Sequence, residues 1–125
     1  MGLVASQARL LMLNDRKSSL EFQMQCITGR MSAAAAQTAG IAQRQAAEYT
    51  KLTGNPTDAE KAVVDSNLQQ LEADLAKINA WDKQLSLMQK QIETQHSAVE
   101  QEMQGVQKII DANIKNTFNV FNHNG

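Results

Sequence analysis

Thr53-Gly54-Asn55-Pro56-Thr57-Asp58 is the one stretch of this 125-residue chain with strong turn chemistry, and its reading decides the fold. Gly54 or Asn55 can adopt the left-handed conformation that ends a helix, and Pro56 prevents its continuation. Thr57, with Glu60 three residues later, reads as a capping box that starts the next helix. No second proline interrupts either flank. The expected fold is therefore all-α: a single long antiparallel helical hairpin, with arms at 3–52 and 58–118, a turn at 53–57 and a polar tail at 119–125.

Working outward from the turn, both arms repeat every seven residues. In the first arm Leu13, Leu20, Ile27, Ala34 and Ile41 form one row. Leu10, Lys17, Met24, Met31, Thr38, Gln45 and Leu52 form the row beside it. Spacings that alternate three and four place both rows on one helix face. In the second arm the main row runs Leu71, Ile78, Leu85, Ile92, Val99, Val106 and then Asn113. Its companion is Leu68, Leu75, Asp82, Gln89, His96, Met103 and Ile110. A dimeric coiled coil wants both rows apolar, whereas the companion row turns polar in its middle. That pattern predicts a hairpin seam whose flank faces water or another subunit.

Composition narrows the function. Ala (17) and Gln (15) dominate, aromatics are 4% and the net charge is −1, so a nucleic-acid binder driven by a basic face is excluded. A single Cys26 excludes an internal disulfide framework. No apolar run reaches the ~20 residues that span a bilayer, so no stable membrane insertion is expected. Met1-Gly2-Leu3-Val4-Ala5-Ser6 lacks the basic region of a secretory leader. Export, on this reading, proceeds without a cleaved signal. Gly2 with Ser6 also fits a loose myristoylation pattern.

The two ends are sticky. Leu3, Val4, Leu10 and Leu11 begin the chain, while Ile109, Ile110, Ile114, Phe118, Val120 and Phe121 fall within thirteen residues near its end. Two helices share one seam and enclose no core, and each ordered residue costs about 1–2 kcal/mol of conformational entropy. Apolar patches left exposed usually mark association. The expectation is a homo-oligomer of many copies, a bundle or a helical filament. Its contacts would come from those terminal residues and from Trp81, a large aromatic suited to an interface; packing across the hairpin is the other reading of that ring.

The stretch Val106-Gln107-Lys108-Ile109-Ile110-Asp111-Ala112-Asn113-Ile114-Lys115-Asn116-Thr117-Phe118, together with the Asn55-Pro56 turn, resembles the type III secretion needle subunits. Those are short helical hairpins with an Asn-Pro turn and a C-terminal Asp-Ala-x-Ile-x-x-x-Phe-like pattern. The resemblance covers about a seventh of the chain, which is half as long again as a usual needle subunit. It implies a structural subunit of a secreted or cell-surface axial filament, partnered by a secretion apparatus or an export chaperone. Polar Gln89, Asn113 or Asn116 would line any channel. The rival expectation is a cytoplasmic coiled-coil adaptor or export chaperone of low oligomeric order.

Other residues have plainer readings. Cys26, between Met24 and Ile27, reads as a small buried hydrophobe. His96 has no Cys, Asp or second His at ligand spacing and reads as structural or solvated; His123 belongs to the polar tail. Gly29, Gly40 and Gly105 are candidates for close packing or a bend, which leaves open a break in the first arm. The basic tint of the first arm (Arg9, Arg16, Lys17, Arg30, Arg44) and the acidic second arm favour antiparallel pairing or subunit-to-subunit register, with solvated surface charge as the default reading. No catalytic residues, metal ligands or cofactors are expected, and the chain reads as a non-enzyme.

Overall fold

A computed structural model describes the backbone of residues 2–124 and the side chains of residues 2–122. His123 therefore lies outside the described side chains. The chain forms two helices, α1 (Leu3–Thr50, 48 residues) and α2 (Asp58–Asn124, 67 residues), packed against each other as a hairpin with no strand among the described residues.

The turn follows from its residues. The last turn of α1 tightens: the amides of Lys51, Leu52 and Thr53 each donate to the carbonyl three residues back, at 3.1 Å. Gly54 then takes φ +94°, the left-handed region where a Cβ is strained. Thr57 caps α2, its Oγ1 accepting the Glu60 amide at 3.2 Å while its carbonyl accepts the Lys61 amide at 2.9 Å. Asp58 and Glu60 set negative charge in the first turn, where the helix dipole favours it.

One expectation about the arms needs correction, and the open question of a break in the first arm is answered. α2 does not end at Phe118 in a polar tail but stays helical to Asn124, since Asn and Phe are poor yet tolerated helix residues and no Pro or Gly intervenes before 125. α1 is one unbroken helix, and a Cβ added at Gly29, Gly40 or Gly105 would meet nothing within 4 Å. Within the chain, then, these glycines mark neither a close approach nor a break.

The chain divides into two compact units, Met1–Gln25 with Gln89–Gly125, and Cys26–Met88. In the first, Leu13 and Leu20 of α1 are buried, as are Ile92, Val99, Val106 and Ile110 of α2. Ser6, seven residues before Leu13, continues that row at 0% exposure, with an Oγ that has no hydrogen-bond partner. In the second unit Ile27, Ala34 and Ile41 are buried with Val64, Leu71 and Leu85. Fully buried leucines such as Leu20 and Leu85, each 1% exposed, contribute about 1.5–3 kcal/mol apiece. The companion rows, from Leu10 to Leu52 and from Leu68 to Met103, are half-buried throughout.

Ile78 is the exception in the main row of α2, being only half-buried. It borders an open groove whose α1 wall includes the small residues Ala36 and Gly40, with Arg44, Asp74 and Lys77 along the rim. Small side chains there leave the isoleucine partly uncovered.

Candidate assembly surface

The register of the first unit is fixed by polar contacts across the seam. Arg9 pairs with Glu102. Arg16 Nη2 donates to Gln95 Oε1 at 3.3 Å, and Lys17 Nζ lies 3.5 Å from Glu100 Oε1. His96 Nε2 sits 3.1 Å from Glu21 Oε1. These pairs are antiparallel, and their residue numbers total 111 to 117. In the second unit Glu48 and Asn67, which total 115, close a similar contact. There the hydrogen bond from Lys51, and after it the one from Asn67, holds the Glu48 carboxyl below its usual range.

This register has a consequence for the open end. Leu3, the first residue of α1, falls opposite residues 108–114. α2 therefore runs on for about ten residues, roughly three turns, with no length of α1 beside it. The sequence carries its apolar rhythm from the seam at Ile110 into this overhang at Ile114, Phe118 and Phe121, spaced four, four and three. Burial does not follow. Ile110 is 5% exposed, whereas Ile114 is 50%, Phe118 61% and Phe121 76% exposed.

The residues expected to carry assembly thus separate into two groups. Ile110 belongs to the hairpin's own seam and is removed from the set, because it still lies within reach of α1. Leu3 and Leu10 are half-buried in the same seam. Val4, Leu11, Ile109, Ile114, Phe118 and Phe121 are exposed, and Trp81 keeps 38% of its surface open. Of the polar residues considered for a channel, Gln89 and Asn113 are half-buried and Asn116 is exposed.

Cys26 is exposed rather than buried, because the residue preceding a seam position such as Ile27 is rotated about 100° away from it. Exposed Phe22 and Met12 belong to an outward face that the seam-centred reading passes over. The signal for that face is the spacing of Val4, Ala8, Leu11, Asp15, Ser18 and Phe22, which alternates four and three along one stripe.

Among the described residues there is no group of three or more His, Cys, Asp or Glu side chains that could hold a metal. No helix there is long and apolar enough to cross a membrane. Comparison with models of known protein families, with curated proteins and with solved structures finds no match.

Proposed function

We propose that this chain is a self-assembling structural subunit of a secreted helical filament, built from hairpins as in the type III secretion axial proteins it resembles. One observation carries the reading. The three-turn overhang of α2 presents Ile114, Phe118 and Phe121 to solvent, with no partner helix among the described residues. Each large aromatic offers on the order of 150–250 Å² for burial, and a contiguous exposed patch of that kind is characteristic of an interaction site. The Asn55-Pro56 turn and the Asp111, Ala112, Ile114 and Phe118 pattern supply the resemblance to needle subunits. On this reading the partners are further copies and the apparatus that exports them, and polar side chains such as Asn116 are available to face a channel.

Truncation after Asn113 tests the proposal. Full-length protein should give long uniform filaments in negative stain, and the truncated chain should give none while keeping most of its far-ultraviolet helical signal. Filaments from the truncated chain would overturn the proposal. So would a discrete dimer or tetramer from the full-length chain, the behaviour of a cytoplasmic coiled-coil adaptor.

A further inference from the structure

The first 23 residues of α1 hold five charged side chains, Arg9, Asp15, Arg16, Lys17 and Glu21. Four reach across to α2, onto Glu102, Gln95, Glu100 and His96. Among the described residues Asp15 has no ion pair or hydrogen bond, and it is exposed. It stands in the outward stripe Val4, Ala8, Leu11, Asp15, Ser18 and Phe22, with Met12 beside it. Val4 is 80% exposed, Leu11 64%, Met12 63% and Phe22 66%. A solvated helix normally carries its charges on the face turned from its partner. Here that face is apolar or small, with a single carboxylate in it.

The overhang has the complementary composition. From Ala112 to Asn122 its only charged side chain is Lys115. Lys115 is exposed, has no partner among the described residues, and lies three residues before Phe118. Each surface is thus an exposed apolar stripe with one unanswered charge, and the two charges are opposite. Burying either stripe against a surface without the countercharge would desolvate an ion without compensation.

We infer that the overhang of one copy docks on the outward face of α1 in a second copy, with Phe118 and Phe121 against Val4, Leu11 and Met12, and Lys115 paired with Asp15. The inference rests on the self-assembly reading and specifies its contact. The arrangement is head to tail. An isologous pairing of two overhangs would cover the phenylalanines but leave the stripe from Val4 to Phe22 exposed. Because the surface offered and the surface received differ, a copy that gives its overhang to one neighbour still receives one from another, and such contacts propagate. A single contact is modest. Phe118 and Phe121 together contribute roughly 300–500 Å², below the ~800 Å² per partner of a standard stable interface, so association should depend steeply on concentration.

Charge reversal tests the contact. Asp15→Lys and Lys115→Asp each set like charges against one another and should raise the protein concentration needed for sedimentable assembly by roughly tenfold or more. The double variant Asp15→Lys/Lys115→Asp should restore assembly to near the wild-type concentration. Mixing the two single variants should also restore long polymers, with the two kinds of copy alternating, since each overhang then meets the opposite charge on the α1 face of the other variant. Helical content and thermal melting of dilute protein should be unchanged in all three, because both side chains are exposed and neither pairs with a group among the described residues. If wild-type protein polymerises and the variants polymerise equally well, the docking contact is wrong and the filament reading stands. If pairing obeys the charges but stops at closed low-order oligomers, the contact stands and the filament reading falls. Wild-type protein that never associates overturns both.

Discussion

Two stretches of α2 share the same apolar rhythm and meet opposite fates. From Ile92 to Ile110 the main-row residues and Ile110 are 5–8% exposed, whereas Ile114, Phe118 and Phe121 are 50–76% exposed. Both belong to one uninterrupted helix, so helix-forming tendency cannot account for the contrast. What differs is whether α1 runs alongside. An apolar stripe therefore specifies a face that needs covering, while the lengths of the arms decide whether the same molecule supplies the cover.

The contrast is broken most directly by removing one side chain from each stretch. Leu85→Ala or Leu20→Ala, at positions 1% exposed, should lower the free energy of unfolding by about 2–5 kcal/mol, read from denaturant melts of dilute protein. Phe118→Ala should change the same quantity by less than about 0.5 kcal/mol and act on assembly instead. Equal destabilisation by the two kinds of substitution would show that the overhang is packed within the monomer.

A smaller effect sharpens the comparison inside the paired stretch. Gly105 adjoins buried Val106 but is itself exposed, and a Cβ there meets nothing. Gly105→Ala should raise stability by about 0.5–1 kcal/mol through backbone entropy, seen as a melting temperature a few degrees higher. If it lowers stability, the outward side of α2 at this point is occupied.

The smallest effect concerns Glu48, where the α1 row from Leu13 to Ile41 meets a carboxylate in place of an apolar residue. Hydrogen bonds from Lys51 and Asn67 hold its folded pKa below the unfolded value. Its contribution is therefore present above the unfolded pKa and is lost as pH falls through the folded one. Between pH 6 and pH 3 the melting temperature should fall further for the wild type than for Glu48→Gln. Identical falls would show that the carboxylate contributes nothing to the end of the seam.

The seam was legible in the sequence because seven-residue spacing is a local signal. Leu13, Leu20, Ile27 and Ile41, and likewise Leu71, Leu85, Ile92, Val99 and Val106, could be read off one helix at a time, as could the turn at Gly54 and the cap at Thr57. Ile78 could not, since its partial exposure depends on small residues across the seam. Ser6 lies one heptad before Leu13, within reach of the same spacing, but a polar residue carries no apolar signal. Cys26 reads as buried from its neighbours in sequence, whereas its angle on the helix turns it outward. The overhang escaped because each arm's pattern is silent about register, which is set by pairs such as Arg9 with Glu102 and Glu21 with His96. The unpartnered state of Asp15 emerges only after every other charge in that stretch has been matched.

The unequal legs, 48 residues against 67, also give the molecule a direction. In a stack joined by Lys115 and Asp15, one extremity would carry a bare tip and the other an empty seat, so the two could not grow alike. A copy shortened after Asn113 keeps its seat and lacks a tip. Added in small amounts to intact protein, it would stopper one extremity and leave the opposite one open.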